Sequence, residues 1–145
     1  MPVRLLVSAA AIAATALAAS ARADTTNVYV FNYNFSTNQS GEPIVAPTII
    51  LGDTIRWVFL DSGHSATSVN GSLEEFDSGY IGIANETFEH TFTHAGVFWY
   101  YCFPHGNDVG NGTASGMSGT ITVVPTPGAA LLFAAGITLA RRRRS

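Results

Sequence analysis

From Val28 to Val124 short runs of β-branched and aromatic residues alternate with clusters of Gly, Asn, Asp, Ser and Pro, and apolar residues never recur at the 3.6-residue helical period. Seven strands are predicted, near Val28–Phe35, Ile44–Leu51, Thr54–Leu60, Ser65–Val69, Thr87–Thr93, Val97–Cys102 and Gly119–Val124. In Thr54–Leu60, Ile55, Trp57 and Phe59 fall on one face and Arg56 and Val58 on the other, which predicts a half-buried strand of period two. Every residue of Val97–Cys102 is apolar or aromatic, so a central strand covered on both faces is expected, with Phe98, Tyr100 and Cys102 sharing one side. The stretch from Asn70 to Glu86 is rich in turn residues and reads as a surface crossover with one short helical turn. Together these elements predict an all-β protein, a Greek-key β-sandwich of about seven to eight strands in one domain.

The two ends follow other rules. Residues 1–23 combine a short basic start at Arg4, an almost unbroken apolar run from Leu5 to Ala19, and small residues at Ala21 and Ala23, which together form a secretory signal cut after Ala23. A retained anchor is the alternative, and the shortness of the run and its cleavage-type ending weigh against it. Residues 125–145 begin with Pro125 and Pro127, continue apolar to Ala140 and close on Arg141–Arg144. The apolar part, about thirteen residues at 1.5 Å rise, reaches about 20 Å, short of a bilayer core of about 30 Å. This order of proline motif, short apolar helix and arginine cluster resembles the bacterial PEP-CTERM sorting signal, with Thr126 where that family usually has Glu. The resemblance implies transient inner-membrane association with the arginines cytoplasmic, and cleavage near the prolines by an exosortase-type enzyme. A weak membrane tail that is retained is the alternative.

Between the ends, residues 24–124 form the expected domain, and charge sharpens its description. The chain's net −3 conceals an acidic domain, because six of the seven arginines lie in the two terminal segments. Arg56 alone opposes ten carboxylates, a net of −9 with histidines neutral. Such a surface argues against nucleic acid and anionic lipid, and suits a partner with a basic docking patch or simple solubility.

The candidate chemistry lies in YYCFPHG, Tyr100 to Gly106. An exported chain with one cysteine must use it in an intermolecular bridge, as a nucleophile or as a metal ligand. Cys102 and His105 stand at C-x-x-H spacing where a strand enters a loop, Pro104 stiffens the turn, and His64 follows the strong strand in the loop DSGHS. Together these three would form a His₂Cys trigonal set, which suits blue copper with a weak axial donor. Met117 is the one methionine left once Met1 departs with the signal. His90 and His94 are expected to face solvent, and Trp99 and Tyr101 to pack.

LGDTIRW, the isolated His64, FDSG, FTHAGVFWYYCFPHG and GMSGTITV, in that order, resemble the plastocyanin-like cupredoxins over most of residues 24–124. The resemblance implies an eight-strand cupredoxin-like sandwich with one type 1 copper ion at one end, held by His64, Cys102, His105 and, axially, Met117. It departs from that family where GNDVGNGTASG, eleven residues, separates His105 from Met117. The implied role is a one-electron carrier in the periplasm or at the cell surface that exchanges electrons with redox partner proteins, and no enzyme. An envelope copper-delivery module is the rival, and a Cys102–His105 hydrolase pair is disfavoured because no helix N-terminus follows the cysteine. A backbone amide to the Cys102 sulfur and a hydrogen bond fixing the His64 tautomer are expected around such a site.

Overall fold

Eight strands build two four-stranded sheets in the computed structural model, which describes residues 22–39 and 43–126. The strands are β1 (Thr25–Phe31), β2 (Asn34–Ser36), β3 (Thr48–Ile50), β4 (Thr54–Phe59), β5 (Thr67–Ser68), β6 (Thr87–Thr91), β7 (Gly96–Asp108) and β8 (Ala114–Val124). One sheet has the order β2-β1-β4-β6 and the other β3-β8-β7-β5. Pairings are antiparallel except β1 with β4 and β3 with β8. The all-β expectation holds, and no helix occurs among the described residues, so the helical turn expected in the crossover is absent. Apart from their inner edges, the secretory signal and the sorting tail lie outside the described residues.

Hydrophobic alternation built the core as expected from β4, whose Ile55, Trp57 and Phe59 are fully buried. They face Phe98, Tyr100 and Cys102 of β7 and Ile121 and Val123 of β8, with Val28 and Val30 of β1 beside them. Each such large side chain contributes about 1.5–3 kcal/mol by leaving water. The expectation that Val97–Cys102 is covered on both faces is corrected: Val97 is 60% exposed and Trp99 and Tyr101 only half-buried. A two-layer sandwich buries one face of each sheet, so even a central, wholly apolar strand keeps an outer face.

Five of the predicted strands also change bounds. Val28–Phe35 is two strands folded on each other at Asn32 and Tyr33, and only Thr48–Ile50 of Ile44–Leu51 is paired. Ser65–Val69 shrinks to the two residues of β5, whereas β7 and β8 extend toward each other well past Cys102 and Gly119.

The crossover between β5 and β6 does not stay on the surface. Phe76 turns inward and packs against Trp57, with ring centroids 4.9 Å apart, and against Phe88, Phe92 and Tyr100. Two residues earlier Glu74, 3% exposed, is also turned in. Its Oε1 accepts bonds from the amides of Thr93 (2.7 Å) and His94 (2.6 Å), from Thr93 Oγ1 and from His94 Nδ1, while Oε2 accepts from His90 Nε2 at 2.8 Å. A buried carboxylate is tolerated when its oxygens are this fully bonded. His90 is therefore not the solvent-facing residue expected from its place on a polar strand. It lies between Phe76 and Phe92, centroids 5.0 and 4.9 Å away, and His94 is half-exposed with one nitrogen on Glu74.

Candidate metal centre

Three side chains, one from a loop and two from β7, meet at one end of the sandwich. His64 lies in the loop after β4, and its backbone is held by a short antiparallel bridge to Ile81 in the crossover, Gly63 N to Ile81 O and Ile81 N to His64 O, both 2.8 Å. Cys102 lies on the inner face of β7 and is fully buried. His105 follows where β7 leaves its regular pairing with β8.

Their donor atoms converge. Cys102 Sγ is 3.6 Å from His64 Nδ1 and 3.4 Å from His105 Nδ1, and the two Nδ1 atoms are 3.2 Å apart. Three donors ringing a first-row metal ion at about 2.0–2.3 Å stand about 3.5 Å from one another. The triangle therefore fits an ion at its centre, and among the described residues it is the only His, Cys and carboxylate group with that spacing.

The surroundings prepare each donor. Burial pushes the Cys102 thiol above its ordinary range, against the opposing pull of amides of Ser65 and His105, so a metal-free thiol stays protonated and inert. The Ser65 amide lies 3.4 Å from the sulfur, as expected, and its hydroxyl accepts from the Phe103 amide at 2.8 Å, so one serine fastens the His64 loop to the Cys102 strand. Burial, helped by the nearby His105 and opposed by Asp61, pulls His64 below its usual value, which keeps its imidazole neutral and free to ligate. The hydrogen bond expected to fix the His64 tautomer is not found: among the described residues its Nε2 has no protein hydrogen-bond partner.

The eleven-residue insertion turns out to be a hairpin. Gly106, Asn107 and Asp108 pair with Gly116, Ser115 and Ala114, leaving only five residues as the tip. Before this stem the partners are Tyr101 and Ser118, so Cys102, Phe103, Pro104 and His105 bulge out opposite the single residue Met117. The insertion therefore returns Met117 to the level of the bulge, where it is 4% exposed and belongs to the same core cluster as Cys102. Loop length adds nothing to that separation, because the added residues satisfy one another's backbone groups.

Two glycines permit this approach. A Cβ on Gly116 would stand 2.7 Å from the His105 carbonyl oxygen, and one on Gly106 2.6 Å from that of Met117. Gly116→Ala is expected to destabilise the metal-free protein by about 2–3 kcal/mol, from overpacking and from its φ of +73°. Gly110→Ala, at a φ of +81° but with open space around it, is expected to lose only about 1 kcal/mol. Denaturant unfolding of both variants checks the contrast, and equal losses would refute the close-approach account.

Sequence reasoning missed Ser65 and Tyr33. The latter's ring stands edge-on to both imidazoles, 4.6 Å from His105 and 5.7 Å from His64 between centroids. The only local signal was the Asn-Tyr-Asn break in FNYNF, too weak without a glycine to reveal a tight turn.

No protein-family model matches the chain, and no curated protein matches it either. Solved structures do. A reduced copper(I) form of an amicyanin variant matches at a TM-score of 0.50 and 24% identity, over 69% of this chain and 82% of that one. An oxidised amicyanin variant matches at a TM-score of 0.50 and 22% identity, with the same coverage. At this level of identity the likeness is one of fold, and the chain shares the cupredoxin-like sandwich of those proteins.

Proposed function

We propose that the protein is an exported mononuclear copper protein that carries single electrons. The observation that carries this reading is the convergence of His64 Nδ1, Cys102 Sγ and His105 Nδ1, and the amicyanin-like fold, known in a copper(I) form, supports it. A copper ion here would supply a one-electron couple, since thiolate favours copper(I) and imidazole favours copper(II).

The chain's own residues account for the rest. His64, Cys102 and His105 would hold the ion, and Met117, level with the bulge, would be the further donor. The anchored His64 loop and the Ser65 clamp resist rearrangement, so little reorganisation accompanies a change of charge. Cys102 would ligate as the thiolate, having given up its proton. His105 is exposed where the buried pair is not, which makes it the exit for an electron. A carrier, and no enzyme, is the role we read for the site.

Export by the secretory signal, sorting through the tail and a periplasmic or surface location belong to the same proposal. A basic redox partner fits the acidic domain. Asp61 acts electrostatically on His64, so negative charge lies close to the site. The test is to add copper(II) to the purified protein and record visible and paramagnetic resonance spectra. One equivalent is expected to give an intense thiolate-to-copper band, and a colourless protein with a titratable thiol would overturn the reading. Slow copper loss to a chelator with fast electron exchange would distinguish a carrier from the delivery module.

A further inference from the structure

The turn joining β1 and β2 carries a side chain that its backbone disfavours. Asn32 and Tyr33 are its two central residues, with φ of 45° and 60°. Two-residue hairpin turns with positive φ at both positions favour Asn-Gly, because a Cβ at the second position meets the backbone. A bulky ring in that place is an outlier, and burial does not account for it, since Tyr33 is 63% exposed. The ring instead lies nearly perpendicular to His105 (85°) and His64 (84°). The turn itself is tied to the loop preceding His64, where the Asn32 amide donates to Asp61 Oδ2 at 2.9 Å. Among the described residues neither His64 nor His105 has a protein hydrogen bond on Nε2.

We infer that Tyr33 is a positioning residue, an aromatic clamp that keeps the imidazoles of His64 and His105 turned with their Nδ1 atoms toward Cys102 Sγ. Backbone strain is retained at the turn because the clamp needs a ring there. The contact is made by the ring, since no hydrogen bond of the phenolic hydroxyl is found among the described residues. The inference rests on the metal reading of the site, but part of its test needs no metal.

Tyr33→Gly, Tyr33→Ala and Tyr33→Phe are compared with the parent. In the metal-free protein, Tyr33→Gly and Tyr33→Ala are expected to broaden or split the imidazole resonances of His64 and His105, while Tyr33→Phe leaves them as in the parent. With copper loaded, the first two are expected to lose it to a chelator roughly tenfold faster, the range one aromatic pair supports. Tyr33→Gly is expected to melt no lower than the parent despite its looser rings, an outcome that a merely structural role for the tyrosine does not produce. Unchanged imidazole resonances in Tyr33→Gly would overturn the inference, and so would a Tyr33→Phe that behaves like Tyr33→Ala. If no variant binds copper, the metal reading fails and the resonances still decide the clamp.

Discussion

Cys102→Ser is expected to abolish the intense visible band and to weaken copper binding more than about a hundredfold, since losing even an outer partner of a ligand costs up to that factor. A serine hydroxyl stays protonated near neutral pH and is a hard donor, whereas thiolate is the one soft anionic ligand in the triangle. The fold itself should be little affected. The position is fully buried, and the Ser65 amide that faces the sulfur can face an oxygen, so the metal-free variant should lose about 1 kcal/mol. Thermal unfolding with and without copper separates the two effects, because a ligand that binds only the folded state raises its stability with the logarithm of its affinity. Copper is expected to raise the parent's midpoint and leave that of Cys102→Ser where it was. A variant that keeps the band, or is stabilised by copper as the parent is, would remove the thiolate from the site.

Glu74→Ala is expected to destabilise the protein by about 3–5 kcal/mol, the loss typical when one partner of a buried charged cluster is removed. Total stability for such a domain is about 5–15 kcal/mol, so the variant should be marginal at room temperature. Glu74 joins the crossover to the end of β6 through five hydrogen bonds, and without it the amides of Thr93 and His94 lose their acceptor. Glu74→Gln should recover part of the loss, since an amide oxygen accepts some of those bonds and its NH₂ repels the others.

The same residue sets an acid limit. Burial alone would raise the Glu74 carboxyl, but the bonds from His90, His94 and Thr93 outweigh it and hold it below its usual 4.5. Its contribution is therefore complete above that value and is lost as pH falls through the lowered one. The denaturant midpoint of the parent should fall steeply there, and that of Glu74→Gln more shallowly. Parallel curves for the two proteins would show that acid lability originates elsewhere.

Much of the fold was legible because it depends on neighbours along the chain. Alternation in β4 foretold which of its faces is buried, and the same period grouped Cys102 with Phe98 and Tyr100 on one side of β7. C-x-x-H spacing brought a sulfur and an imidazole together without any tertiary knowledge. Where periodicity was silent the reading failed: an all-apolar strand does not say which side it exposes, and Val97 was exposed. The crossover was misjudged for a related reason. A glutamate among turn residues looks solvated, and only its five donors from a distant strand end make its burial tolerable.

His64 and Cys102 are 38 residues apart and His64 and His105 are 41 apart, yet the residue types and their order were enough to nominate all three. Metal-ligand chemistry narrows the choice to a few side chains, so the sequence by itself determined the sandwich class and named the three side chains that the fold brings together. Tertiary structure alone decided how those donors are held. The stem pairing Gly106 with Gly116 turned a long insertion into a short return to Met117, and a left-handed turn 31 positions before His64 brought Tyr33 over both imidazoles. Both depend on strand register and backbone handedness. Those are properties of which residues pair across the fold, and local propensity does not encode them.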